Sequence, residues 1–293
     1  MQSLTLHEAK AHAAKNAKIR PDTQGRLAGR LAVITGGAQG FGLGIAKELY
    51  REGAWVVLAD VNLKQAESAL KEFGDGAWAL PVDVSDPESV CTMVSQAVQL
   101  MGGIDLFLSN AGVLKAGNIE ELSPADFDWI TRVNYTGYFH CVRAVSQIMK
   151  AQAEAAPLRW YDIIQINSKS GLVGSQAICA YVGGKFGGIG LTQSFAIELA
   201  PFRIKVNAIC PGNYYDGPLW SDPENGLFVQ YFNAGKAPGA KTVEEVKEIY
   251  LKRGLIQRGC LPEDVAKAVF YCVDQCYETG QAIPVSGGQI MLN

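Results

Sequence analysis

Seven short apolar runs alternate with longer stretches of helical period, and that alternation constrains the possible folds more tightly than anything else in the chain. The runs cover 31–35, 55–59, 77–82, 104–108, 161–166, 204–209 and 282–285. A strand apolar at nearly every position must be buried on both faces, and strands joined by helices run parallel. The pattern therefore predicts an α/β fold with a doubly wound, Rossmann-type, seven-stranded parallel sheet covered on both sides. Ligands of such sheets sit at the carboxyl ends of the strands. The residues of chemical interest fall there. A glycine turn, Thr35-Gly36-Gly-Ala-Gln39-Gly40-Phe41-Gly42, follows the first run, Asp60 and Val61 the second, and Asp83 and Val84 the third. Asn110-Ala111-Gly112 follow the fourth, Ser168 and Ser170 the fifth, and Pro211-Gly212-Asn213 the sixth.

Composition narrows the class. With 293 residues, 48% of them hydrophobic and 19% charged, the chain can bury a substantial core without staples. One domain over 26–293 with a helical arm over 1–25 is expected. The 26 basic and 29 acidic residues give a net charge of −3, and no basic run stands out. Nucleic acid and anionic membrane are poor partners for such a surface. Seven cysteines, an odd number without a Cys-x-x-Cys, suit a reducing cytoplasm. The three histidines, His7, His12 and His140, lie far from Cys272 and Cys276 in sequence, so no metal site is expected. The first twenty residues lack the apolar core of a secretory signal, and no run approaches the length of a membrane span.

The chemistry can be read residue by residue. Gly36, Gly40 and Gly42 let a backbone turn sharply and approach a pyrophosphate, with the N-terminus of the next helix aimed at its charge. Asp60 stands where a carboxylate accepts ribose hydroxyls and repels a 2′-phosphate. Neither Gln39 nor Val61 is basic, so NAD is expected over NADP. A plain turn and a helix-capping aspartate are the structural alternatives. Tyr181 and Lys185 lie one helical turn apart, as in Tyr181-Val-Gly-Gly-Lys185. A free phenol has a pKa of about 10, so Tyr181 needs a nearby cation to act as a proton donor and acceptor near neutrality, and Lys185 is the candidate. Ser168 can hold a substrate oxygen, or merely cap the turn after its strand. The helix also carries Gly183, Gly184, Gly187, Gly188 and Gly190, each costing about 1 kcal/mol relative to Ala. Close approach of a cofactor or of a partner subunit's helix would explain them.

Taken in order, Thr35-Gly-x-x-x-Gly40-x-Gly42, Asn110-Ala-Gly112, Asn134, Ser168, Tyr181-x-x-x-Lys185 and Pro211-Gly212 resemble the short-chain dehydrogenase/reductase family over 29–293. Ile166-Asn-Ser-Lys-Ser-Gly171 and Thr279-Gly-Gln281 look like its sorbitol-6-phosphate 2-dehydrogenase branch; the N-terminal arm and an aromatic loop look more like bacterial 20β-hydroxysteroid dehydrogenases. The resemblance implies catalysis by Asn134, Ser168, Tyr181 and Lys185, with Asn134 holding a water that links Lys185 to solvent. It implies NAD held by Gly36, Gln39, Gly40, Phe41, Gly42, Asp60, Val61, Asp83, Val84, Asn110, Ala111, Gly112, Tyr181, Lys185, Pro211, Gly212 and Asn213. It also implies a homodimer or homotetramer. Ser109 and Asn213-Tyr214 depart from the family's usual Asn and Thr.

The resemblance implies a small-molecule alcohol or ketone as substrate. Residues 213–258 form a loop rich in Tyr, Pro and Trp, and Tyr214, Tyr215 and Trp220, with Ser168, Ser170 and Tyr181, are its expected contacts. Aromatic lining suits a bulky, steroid-like ketone; aromatic residues that only pack the loop would leave a polyol or polyol phosphate as the alternative, with Lys115 and Lys169 as phosphate ligands. A dinucleotide-binding sensor without catalysis is the third reading, which intact Ser168, Tyr181 and Lys185 oppose. The arm, 4–15, has high helix propensity and a thin apolar face. It is expected to pack on the body or on a neighbouring subunit, at the rim of the active site as a lid, or else to fray.

Overall fold

A computed structural model of the chain describes residues 4–291; Met1, Gln2 and Ser3 of the arm and the last two residues lie outside the described region. The strands β1 (Leu31–Thr35), β2 (Trp55–Asp60), β3 (Ala77–Pro81), β4 (Leu106–Ser109), β5 (Tyr161–Ile166), β6 (Ile204–Pro211) and β7 (Ala282–Val285) form one sheet. All pairs are parallel, in the order β3-β2-β1-β4-β5-β6-β7. The order reverses between β1 and β4, which opens a crevice at their carboxyl ends.

The helices are α1 (Leu6–Asn16), α2 (Gly40–Arg51), α3 (Leu63–Ala69), α4 (Pro87–Met101), α5 (Pro124–Thr131), α6 (Gly137–Ala155), α7 (Cys179–Leu199), α8 (Pro218–Ser221), α9 (Leu227–Asn233), α10 (Val243–Lys252) and α11 (Pro262–Asp274). Strand side chains alternate between two cores. Leu31 and Val33 face α4 and α6, whereas Ala32 and Ile34 face α2 and α11. The loop between β6 and α11 has a third core of its own, in which Tyr215, Trp220, Phe228, Tyr231 and Tyr250 pack ring on ring.

Two features bear on the site. The helical stretch from Pro124 to Ala155 is broken by a π-helical turn at Arg132–Thr136, centred on Asn134. The described part of the arm packs on the body, as the first of its expected placements has it, and away from the crevice. Thr5 and Glu8 close a capping box at the start of α1, Ala9 and Ala13 are wholly buried against α4 and α6, and Arg20 pairs with Asp105 at 3.0 Å. Asp105 precedes β4, so the anchor lies at the amino end of the sheet, opposite the carboxyl ends where the crevice opens.

Candidate active site

The glycine turn is built by exclusion of side chains. Gly36 has φ +64°, and a Cβ there would come within 2.9 Å of Ala111 Cα. A side chain on Gly42 would collide with the Gly36 carbonyl. Gly40, with φ +59°, has open space where its Cβ would be. This is a cradle with its floor closed and its mouth clear. Gln39 offers no side-chain cap to α2, so the first amides of that helix are left for a ligand. Its Oε1 instead accepts from Gln65 Nε2 at 3.0 Å.

Asp60 closes the second side. Its Oδ2 accepts from the Ala38 amide and its Oδ1 from the Asn62 amide, both at 3.0 Å. The carboxylate is thereby oriented by two backbone donors and retains lone pairs for further donors. Exposed Val61 and Asp83, with Val84, continue the wall. Asn110 pins β4 to β1, donating from Nδ2 to the carbonyls of Thr35 (2.9 Å) and Gly36 (3.1 Å). Its amide is spent on holding the turn, while the residue still lines the crevice with Ala111 and Gly112.

The reactive groups meet on the floor of the same crevice, a cavity of about 820 Å³. Ser168 follows β5 and caps the turn after it. Its Oγ accepts from the Ser170 amide at 3.1 Å, capping the turn, and it hydrogen-bonds the Tyr181 phenol. Lys185 is 4% exposed; its Nζ donates to the Ile166 carbonyl at 3.0 Å and lies 5.5 Å from the Tyr181 ring centroid. Burial pushes Lys185 down to about 8, opposed by the Cys210 thiol. The Tyr181 phenol is raised by burial, with the Ser168 hydrogen bond acting the other way. The expected lowering of Tyr181 by Lys185 is therefore not a property of these residues alone. The amine is turned to a strand carbonyl and is itself drawn toward neutrality by desolvation.

Asn134 is brought to the site by the π turn. Its Oδ1 accepts from the Val113 amide at 2.8 Å and its Nδ2 donates to the Val113 carbonyl at 2.7 Å. Both ends of the side chain thus serve to fix the strand-to-loop segment over Lys185.

Two further expectations change. Tyr215 is 1% exposed and does not reach the cavity; its hydroxyl donates to the Tyr250 carbonyl at 2.9 Å and accepts from Asn213 Nδ2. Packing of the loop has claimed it. Trp220 shows only an edge to the cavity, because it touches four other rings. Tyr214 remains on the wall, 5.1 Å from Phe41. Pro211, Gly212 and Asn213 line the cavity as expected.

Sequence reasoning missed Asn167, which orders the centre. It donates from Nδ2 to the Lys185 carbonyl at 2.9 Å and accepts the Ser168 amide on Oδ1 at 2.8 Å. Thr35 was missed too; its Oγ1 accepts from the Asn110 and Ala111 amides at 3.0 and 3.2 Å. Adjacency to Ser168 and to the glycine turn was the available signal for each.

Comparisons with known proteins agree with this geometry. The short chain dehydrogenase family model matches residues 30–220. The chain is 35% identical to sorbitol-6-phosphate 2-dehydrogenase of Escherichia coli (strain K12), covering 89% of this chain and 99% of that enzyme. It is 32% identical to the 3-alpha-(or 20-beta)-hydroxysteroid dehydrogenase of Mycobacterium bovis, covering 91% of each. A crystal structure of 3-ketoacyl-(acyl-carrier-protein) reductase from Brucella melitensis, complexed with NADH, superposes with a TM-score of 0.77 at 28% identity, covering 90% of this chain and 99% of that one.

Proposed function

Because this chain belongs to the short-chain dehydrogenase family, an oxidoreductase family acting on alcohols and ketones, we propose that it interconverts a secondary alcohol and a ketone with NAD(H), using Tyr181 as acid and base. The observation that carries the reading is the grouping of Ser168, Tyr181 and buried Lys185, whose Nζ lies 5.5 Å from the Tyr181 ring centroid, on the floor of the cavity that the glycine turn opens into. The empty space at Gly40 and the uncapped start of α2 suit a pyrophosphate, and the Asp60 carboxylate suits unphosphorylated ribose. When bound, the reduced nicotinamide supplies the hydride.

Ser168 fixes the carbonyl oxygen, and Tyr181, kept protonated by burial, gives it a proton. The Lys185 ammonium stands beside the ring to offset the negative charge left when the phenol gives up its proton, and Asn167 holds Ser168 and the Lys185 turn in register. A copy-to-copy contact through the exposed face of α7 and a reducing compartment for the seven free thiols complete the reading.

For the substrate, a polyol-derived ketone fits best, because Tyr215 and most of Trp220 are used inside the loop core while Ser170, Asn225 and Gln230 line the cavity. A steroid-like ketone is favoured by a different part of the wall, Ile178, Leu219, Leu227 and Tyr231. Tyr181→Phe tests the chemistry. Ketone reduction should fall at least ~10²-fold while NADH binding, followed by fluorescence, persists; near-normal turnover would overturn the mechanism.

A further inference from the structure

Three cations converge where the turn after β5 meets the substrate loop. Lys169 directly follows Ser168, Lys236 follows α9, and Arg253 ends α10. Lys236 is 8% exposed; its Nζ donates to Ser175 Oγ at 3.1 Å and lies 4.0 Å from the Tyr231 ring centroid. The Arg253 guanidinium lies 4.4 Å from the Tyr250 centroid, and the two tyrosine rings are 5.5 Å apart. Lys236 and Arg253 thus rest on one shelf of packed rings. That shelf adjoins the chemistry, because Tyr231 and Ser170 both line the cavity that holds Tyr181.

None of the three enters an ion pair among the described residues, whereas nearby Lys115, Lys247 and Arg258 pair with Asp126, Asp216 and Asp264. Burial pushes Lys169 down to about 8 and Lys236 to about 7, and mutual repulsion with Arg253 adds to both. Gathering like charges with no carboxylate opposite costs stability, and an entering multivalent anion offsets that cost. Two ammonium groups and a guanidinium match the charge and acceptor count of a phosphate ester better than those of a carboxylate.

We propose that Lys169, Lys236 and Arg253, with the Ser175 hydroxyl, form an anion subsite for a phosphate ester carried by the substrate, so that the oxygen held by Ser168 and Tyr181 belongs to a keto-sugar phosphate. The inference rests on the oxidoreductase reading above and adds the substrate's charge to it. It keeps one of the two lysines expected from the sequence: Lys115 is neutralised by Asp126, whereas Lys169 acts with two residues far away in the chain.

The test uses the NADH-loaded protein and reads binding by calorimetry alongside turnover, with fructose 6-phosphate, fructose and inorganic phosphate as probes. The phosphate ester should bind at least tenfold more tightly than fructose. That preference should fall at least tenfold in Lys236→Gln, Lys169→Gln and Arg253→Gln, be largely kept in Lys236→Arg, and be unaltered in Lys115→Gln. No preference in the parent, or the same preference in Lys236→Gln with its melting temperature intact, overturns the subsite. Phosphate-dependent binding without turnover of any ketone would support the subsite and sink the oxidoreductase reading. Turnover of uncharged ketones with no phosphate preference would do the reverse.

Discussion

Lys185 shows how a single residue can cost stability for the sake of chemistry. It is buried, donates to the Ile166 carbonyl at 3.0 Å, and is pushed down to about 8 by desolvation. An unfolded lysine keeps its proton up to about 10.4, so the unfolded state binds more protons between pH 8 and 10. Stability contributed by this group therefore rises with pH across that window and is lowest below it. Lys185→Met removes the titration. Its melting temperature relative to the parent should be most favourable near pH 7 and decline as pH rises from 8 to 10, while turnover is lost at every pH. A difference in melting temperature that does not change over that range would refute the burial argument. Asn167 marks the limit of residue-by-residue reading: nothing in an asparagine beside a serine reveals that it will bond the carbonyl of Lys185, which only the folding of α7 against β6 brings near.

At the scale of elements, the glycines of α7 divide into two groups. A Cβ on Gly188 would approach Gln165 Nε2 at 2.5 Å, and one on Gly187 would approach Tyr135 at 2.7 Å. Gly183 and Gly190 face open space, on an exposed side of α7 that also carries Phe186 and Ile197. The close approach expected from the sequence is thus made within the chain for the first group. Gly188→Ala should be destabilising by about 1–3 kcal/mol, as overpacking is. Gly183→Ala, if a second copy packs on that face, should lower the assembled mass seen by light scattering; an unchanged mass with a gain of about 1 kcal/mol in stability would show the face to be free. The arm makes the opposite point. Its thin apolar stripe, Ala9 and Ala13, finds a complete groove on α4 and α6. Deleting residues 1–22 should lower the melting temperature and leave kcat unaltered, because α1 and Arg20 dock away from the cavity; a fall in kcat with the fold intact would restore the lid.

For the whole molecule, the cofactor is where sheet order becomes function. The strand ends at β1, β2 and β4 place Gly40, Asp60 and Asn110 around one crevice, and Asp60 is held there by two backbone amides. A ligand bound only by the folded state at a hundred times its Kd adds about 2.7 kcal/mol of stability. NADH should therefore raise the melting temperature well above what NADPH achieves at the same concentration, and Asp60→Ala should narrow the gap; greater stabilisation by NADPH in the parent would reverse the cofactor assignment. The seven strands, their parallel order and the Ser168, Tyr181 and Lys185 set were legible in the sequence because each rests on local information: apolar runs, turn residues and a one-turn spacing along a helix. The π turn at Asn134, the withdrawal of Tyr215 into a core, the groove that receives the arm and the meeting of Lys169, Lys236 and Arg253 were not. Each depends on which surfaces, distant in the chain, come to bury one another, and burial is settled by the three-dimensional competition for apolar contact rather than by any residue's neighbours in sequence.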